Sequence, residues 1–537
     1  MTSTFFGLNI AVSALMAQQR ALDITAHNVA NANTEGYTRQ DAHMVAADPF
    51  PVPTASIAGQ AGQLGTGVIV KEIRRMRDQF LDSQVRSQVG SLGYWETKQD
   101  YLAQIEALFN EPSDQGINSL LTKFWGAWQD LAASPKDYAA RVALVQSGTL
   151  LADVIQRDYK QMVALQKQAD TEIDSKLVEV NGWLKDVAEL NKRIGAVEVQ
   201  VASDLDPKVL VHQDQANDLR DRRDLVLDNL ARAVGVSYQE QDDGTVTVWL
   251  PGSGGTQQTL VQGGTVNGLS YGKVALPAPN SAYSIGHVYW NDPSNPPTNP
   301  DAGIGESELK GLLETRNVTL NPSSAALAAL SPGYGNPDFG QSFTWRLDQL
   351  ASQLITLVNN GTPPSNLGHT TGYNLVDTTP RVFFGSADAT PSTGAADIRV
   401  NPNLGTNPNL VAAASAPGQD GDGQRANDIA DALRDTKVSI VSDTLGATVT
   451  ASLNDWYRAM IAKLGVDGQQ ANDMVTNQKS LVDRLTKNRE SFSGVSLDEE
   501  AANVVRFERA FQAAARVMNA MDEMLDKLVN SVGIVGR

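Results

Sequence analysis

The sequence predicts an α+β fold that is mostly α and built from discontinuous, nested domains. Terminal helices form a coiled coil, long helices bundle into a body, and a β-rich outer domain is inserted in that body. Three observations carry this expectation. Both chain ends hold apolar residues at 3–4 spacing, the rhythm that keeps one helical seam facing a partner. A run from about 137 to 200 keeps the same spacing far beyond ordinary helix length. Between 236 and 306 about a quarter of the residues are Gly or Pro, twice the share in the whole chain, and the apolar spacing drops to alternation.

At the N-terminus, Phe5, Leu8, Val12, Leu15, Gln19, Leu22, Ala26 and Val29 follow the spacing, with Gln19 the single polar break. At the C-terminus, Val504, Phe507, Phe511, Ala514, Met518, Met521, Leu525 and Leu528 follow it without a break. Ser496 with Glu499 reads as a capping box, and Asp498, Glu499 and Glu500 suit the positive end of a helix dipole. A helix from Asp498 to Leu528 would be about 45 Å long. Such narrow stripes leave a lone helix marginal in water, so the two ends must pack on each other or on another molecule.

The body is expected to be helical over 94–110 and 117–133, then through the 137–200 run. There Met162, Leu165, Ala169, Ile173, Leu177, Val180, Leu184, Val187, Asn191 and Ile194 form one stripe. Further helices are expected at 212–233, 342–359 and, in pieces, 425–490. Residues 217–224, NDLRDRRD, read as a solvated helical face with Asp218–Arg222 and Arg220–Asp224 pairs. Asp243-Gly244 followed by Val246, Val248 and Leu250 signals a turn and a strand. Residues 361–410 are turn-rich, with strand-like stretches at Arg381–Phe384 and Asp397–Val400. The domains are therefore expected at 1–45 with 495–537, at 46–235 with 307–494, and at 236–306.

Composition removes several function classes. Lys and Arg number 43 against 61 Asp and Glu, a net charge of −18, which repels nucleic acid and anionic lipid. The densest basic cluster, Lys71 to Arg77, is broken by Glu72, Ile73 and Met76. Cysteine is absent, which excludes disulfides, thiolate metal sites and thiol nucleophiles. The histidines His27, His43, His212, His287 and His369 show no HxxH or HExxH spacing, so no metal or other cofactor is expected. No segment reaches the ~18 apolar residues of a membrane span, so no membrane insertion is expected. The first basic residue, Arg20, follows rather than precedes the apolar start, so no cleavable signal peptide is expected.

Two motifs suggest chemistry and both are weak. Gly268-Leu269-Ser270-Tyr271-Gly272 matches the GxSxG nucleophile elbow, but Pro277 and Pro279 would break the helix that must follow the serine. Asp420-Gly421-Asp422-Gly423-Gln424 resembles half a calcium loop. Arg425 and Asp431 stand where Gly and Glu are needed, so a cap for a helix over Ala426–Leu433 fits better. No catalytic residue is assigned, and an enzyme is not expected.

Residues 28–40, NVANANTEGYTRQ, closely resemble the N-terminal signature of bacterial flagellar rod, hook and hook-associated proteins, carried here by Asn28, Asn31, Thr34, Gly36, Tyr37 and Arg39. Asn33, Thr34 and Gly36 would end the first helix, leaving Tyr37 and Arg39 to anchor the segment after it. Residues 493–503, SGVSLDEEAAN, are similar to the C-terminal signature of the FlgK family of hook-associated proteins. Phe507, the run from Phe511 to Leu528, residues 309–316 (LKGLLETR), NDLRDRRD and the long helix continue that likeness; Phe511 stands where a Tyr is expected.

The resemblance implies a structural subunit at the hook–filament junction, extracellular on the flagellum. It implies export through the flagellar type III channel without a cleaved signal. Its implied partners are copies of itself, the hook protein, a second junction protein and a flagellar export chaperone. It implies an inner coiled coil of Leu8, Leu15, Leu22 and Val29 with Val504, Phe511, Met518 and Leu525. The terminal segments are expected to be disordered in the free monomer and to fold on assembly. Another axial protein, hook or distal rod, is the alternative reading; a secreted serine hydrolase using Ser270 is a remote one.

Overall fold

The computed structural model describes residues 6–49, 64–198, 200–202, 210–212, 216–251, 257–275, 284–291, 304–321, 342–362, 366–435, 438–441 and 448–531. At 64% helix and 13% strand it is a mostly helical fold with small sheets. Helix α1 (Phe6–Ala30) leads into a hairpin of β1 (Gln40–Ala46) and β2 (Val68–Arg75). Then come α2 (Gln79–Phe109), α3 (Ile117–Ala133) and α4 (Tyr138–Val197). The chain continues through the β3 (Gln200–Ala202) and β4 (Leu210–His212) pair to α5 (Asn217–Val234).

Capping chemistry sets the helix starts. The Asp78 carboxylate accepts from the Phe80 and Leu81 N–H groups, Asp137 from Ala139, Ser342 from Trp345 and Ser452 from Asp455. Helix α2 begins fifteen residues before the expected 94, because its first turns carry little apolar signal. They pack through Val85 and Leu92, through the buried charges of Asp82 and Arg86, and by close approach at Gly90, where a Cβ would stand 2.7 Å from the Glu306 carbonyl oxygen.

Helix α4, 60 residues and about 90 Å long, is the spine of the body. Its expected stripe is buried at every position except Leu165, which is half-buried. Toward its N-terminal end the core holds Phe124 and Trp128 from α3 with Phe383, Phe384 and His369. Toward its C-terminal end it meets α5 and the strands that follow. These are a meander of β5 (Ser237–Glu240), β6 (Val246–Leu250), β7 (Gln258–Gln262) and β8 (Thr265–Val266), and a hairpin of β9 (Leu269–Ala275) and β10 (Ser284–Trp290). Val246, Val248 and Leu250 alternate inward as their spacing predicts, and they join the same apolar core as α4.

The chain returns through α6 (Glu308–Glu314), a π turn at Thr315–Thr319 and α7 (Phe343–Asn360). Residues 366–423 follow as turns around a short α8 (Pro402–Thr406). The strand-like pair expected there is reduced to an isolated bridge between Phe384 and Val400. Helix α9 (Gln424–Asp435) and the β11 (Val438–Val441) and β12 (Thr448–Ala451) pair lead to α10 (Leu453–Ser493), which lies along α2. Helix α11 (Leu497–Ser531) then packs on α1.

Candidate assembly site

Helices α1 and α11 run antiparallel. The Met521 side chain covers Gly7, and the Asn28 amide bonds the Glu500 carboxylate at 3.3 Å. Each pair spans the same 21 positions on its helix (28 − 7 and 521 − 500), so the two helices stay in step. On α11, Val504, Phe507, Phe511, Met518, Met521 and Leu525 are half-buried; the Leu528 side chain lies outside the described residues. On α1, Leu8, Val12, Leu15 and Leu22 are half-buried and Val29 is 43% exposed. The fully buried line of α1 is displaced round the helix from that stripe, at Ala11, Ala17, Ala21, Ile24, Thr25 and Asn28. Small side chains there let α11 and the β1–β2 hairpin come close, so the bulkier residues stand aside. Met16, Val505, Val517 and Met524 remain more than two-fifths exposed.

The 28–40 segment forms a strap between the two ends. Helix α1 stops at Ala30, and the Thr34 N–H and hydroxyl donate to the Asn31 carbonyl (2.9 Å) and amide oxygen (3.2 Å). Gly36, at φ 77°, turns the chain in a conformation that disfavours a Cβ. Asn33 is exposed and Asn31 makes the bonds that end the helix. The Tyr37 hydroxyl then donates to Asn28 Oδ1 at 2.8 Å. Burial and the nearby Asp218, Asp221 and Glu500 raise its pKa, so it stays a donor. Arg39 reaches Glu499 (2.7 Å) and Glu500 (2.8 Å) on α11, and its N–H donates to the Ser493 carbonyl (2.9 Å). Glu500 is the one fully buried side chain among the described residues of α11. The capping box is half-formed: Ser496 Oγ accepts weakly from the Glu499 N–H (3.5 Å), while the Glu499 carboxylate turns to Arg39.

The strap lands on NDLRDRRD, which is no solvated face. Asn217, Asp221, Arg223 and Asp224 are buried, and only Asp218 and Arg222 take the exposed position expected of the whole run. The Thr38 N–H donates to Asp221 at 2.9 Å and Gln40 Nε2 to Asp218 at 3.0 Å. Asp224 receives Arg75 (2.7 Å), Arg77 (3.1 Å) and Arg86 (3.3 Å). Arg75 also reaches Asp221, Arg77 reaches Asp82, and Arg86 reaches Asp228, which Arg489 of α10 joins at 2.8 Å.

Burial alone would raise the Asp224 pKa; the three guanidinium groups outweigh it and hold the carboxyl well below the usual range. For Asp221 burial prevails and its pKa is raised, despite Arg75 and the Thr38 N–H. The expected helical i,i+4 pairs give way because both signs find partners on other elements. Arg75 and Arg77, read as part of a weak basic cluster, are spent inward here. Sequence reasoning missed Asp82, Arg86, Asp228 and Arg489; apart from Arg77, five residues before Asp82, their partners lie too far along the chain for a local pattern.

The other motifs resolve into structure. Ser270 sits within β9 opposite Tyr289 of β10, its hydroxyl bonded to Asn291 at 3.2 Å, so the strand-to-helix elbow is not formed. Asp422 accepts from the Gln424 N–H (2.8 Å) and the Ser415 N–H (2.7 Å), fastening the loop before α9. Among the described residues no group of three potential ligands is placed to hold a metal ion.

Comparison with known proteins accounts for this convergence. Residues 102–335 match the helical domain of the flagellar hook-associated protein FlgK. Residues 8–38 match the flagella basal body rod protein family, and 488–531 match the C-terminal segment of the flagellar basal body rod FlgEFG proteins. Flagellar hook-associated protein 1 of Bacillus subtilis is 32% identical over 549 residues, covering 100% of both chains. The chain belongs to this FlgK family. Flagellar hook-associated protein 1 of Salmonella typhimurium is 26% identical, covering 97% of this chain and 99% of its own. The structure of the flagellar hook junction protein FlgK from Burkholderia pseudomallei shares the fold, with a TM-score of 0.56 at 15% identity over 77% of this chain and 100% of that one. The two rod-type matches within this FlgK-family chain bracket the elements that meet at Arg39, Asn28 and Glu500.

Proposed function

We infer that the chain is a structural subunit of the bacterial flagellum that joins hook to filament. The observation that carries this is the full-length relationship to hook-associated protein 1, together with the meeting of both end signatures at one polar junction. The subunit assembles through α1 and α11, whose half-buried seams and exposed Met16, Val517 and Met524 offer apolar surface to neighbouring copies. The domains nest: the terminal pair innermost, the α2–α10 body around it, and the strands of 236–306 outward. The terminal helices order on assembly, because so narrow a seam offsets little of their ordering entropy.

The protein acts outside the cell, reached through the flagellar export channel without a cleaved signal, and its partners are other axial proteins and an export chaperone. Among the described residues no helix is long and apolar enough to cross a membrane. Removing the gene should leave hooks without filaments, and labelling should place the protein where hook meets filament. Label along the whole hook or in the rod would support the other axial reading instead. The chain carries out no catalysis on this reading; labelling of Ser270 by a fluorophosphonate probe would contradict it.

A further inference from the structure

The chain has no cysteine to cross-link its parts, and among the described residues its sheets are two-stranded apart from one four-stranded meander. Isolated two-stranded hairpins are marginal in water, and a one-residue slip turns every side chain to the wrong face. Something else must fix each extended segment to its helix.

Five asparagines make the same unusual contact. Asn28 of α1 donates to the Gln40 carbonyl (2.9 Å) and accepts from the N–H of the same residue (3.0 Å). Asn181 of α4 does this to Leu269 (2.7 and 2.8 Å), and Asn191, nearly three turns further along α4, to Val246 (2.8 and 3.0 Å). Asn317, in the π turn, does it to Gly286 (2.7 and 2.9 Å). Asn359 of α7 does it to Phe384 (2.9 and 3.0 Å), and also accepts from the Phe383 N–H (2.8 Å).

Any buried polar group needs hydrogen bonds, so satisfaction alone says little. The informative point is that each amide, whatever else it bonds, gives one donated and one accepted bond to a single residue, the exchange that residue would make with a facing residue of an antiparallel strand. In three of the five that residue is the first of its strand: Gln40 of β1, Val246 of β6 and Leu269 of β9. The helices thus supply a one-residue surrogate strand at the point where pairing begins.

We propose that Asn28, Asn181, Asn191, Asn317 and Asn359 are positioning residues that set the register of the extended segments against the helices. They serve this cysteine-free chain as non-covalent staples. Each amide must donate on one side and accept on the other, so neither a carboxylate nor an apolar side chain of equal size can replace it. Arg223 lies 3.2 Å from Asn191 Oδ1 and Arg316 lies 3.1 Å from Asn317 Oδ1, so a carboxylate there would gain a cation. Asn359 and Asn181 give the cleaner tests.

The experiment is residue-resolved hydrogen exchange on the full chain carrying Asn359→Leu, Asn359→Asp, Asn181→Leu or Asn181→Asp, with exposed Asn519→Leu on α11 as control. Asn181 is only half-buried, so its variants fold even where those of Asn359 do not. Both replacements should speed exchange of the clamped amide, Phe384 or Leu269, by at least roughly tenfold. Amides of the unclamped α3 should hold their wild-type rates, as should every amide of the control outside its own turn. The proposal is overturned if the Leu variants keep wild-type protection at the clamped amide, which would make the asparagines replaceable filler. Uniform loss of protection over the whole chain in the Asn181 variants would overturn it equally.

Discussion

The α1–α11 pair and the α4-centred body obey the same 3–4 spacing and are stabilised in opposite ways. Along α4 the stripe is sealed by α3, α5, α6, α7 and the β meander, and twenty-two of its residues are buried. Along α11 the same spacing leaves every described apolar position at best half-covered, and among the described residues the one fully buried side chain is a glutamate. A stripe therefore says which face of a helix packs, while the surroundings decide whether it is already packed. The body buries its stripe within one chain; the described seam positions of the ends stay partly exposed.

Removing residues 1–30, which include α1, breaks the comparison most severely. Assembly should be lost, while the melting temperature of the body stays within a few degrees of the full chain by calorimetry. A collapse of the body's transition would place α1 in the same cooperative unit as α4.

Within the body the largest single effect is expected at the charge hub. Asp224→Ala should cost roughly 3–5 kcal/mol by chemical denaturation, because Arg75, Arg77 and Arg86 lose their shared carboxylate in a buried site. The depressed folded pKa of Asp224 also fixes a pH dependence. Its contribution is present above the unfolded pKa of about 4 and drains away as pH falls toward the folded value.

His369 behaves in the same sense, losing its contribution as pH falls, but over a higher window. Its Nδ1 lies 2.8 Å from the Arg381 carbonyl and Nε2 accepts from the Ala412 N–H at 2.9 Å, so the neutral ring is the one that fits. Burial, with Arg141 and Arg381 nearby, lowers its pKa to about 4. Its contribution is full above about pH 6.5 and falls by roughly 3 kcal/mol as pH drops from there to the folded value. A His369→Gln variant should lack that slope between pH 6.5 and 4, measured by denaturation at each pH.

The smallest effect is expected where the two regions touch. Arg39→Ala leaves Glu500 buried without its cation and should cost about 2 kcal/mol, confined to the junction. Faster exchange at residues 497–503 with an unchanged body would sharpen the division; a global loss would blur it.

How much of this was legible in the sequence depends on whether the signal was local. The α4 stripe, the α7 helix with Phe343, Leu347, Leu350, Leu354 and Leu357 on one face, and the β6 alternation were readable because each is a run of apolar side chains with one period. The start of α2 was not, since Gly90 packs by what it lacks. The buried line of α1 escaped for a related reason: alanines chosen for close approach look like filler beside Leu8 and Leu15. NDLRDRRD was misjudged because its partners, Arg75, Arg77 and Arg86, stand some 140 residues earlier. The signature residues Asn28, Tyr37 and Arg39 could be recognised by resemblance, but Glu500, which Asn28 and Arg39 share, emerges only once the ends are folded together.

The central claim is that the ends are completed by assembly and the body is not. Hydrogen exchange on the free monomer and on assembled flagella, compared over residues 6–29 and 504–528, tests it most directly. The account predicts fast exchange there in the monomer, slow exchange in the assembly, and an unchanged, well-protected α4 in both. Strong protection of both terminal helices in the free monomer would contradict it.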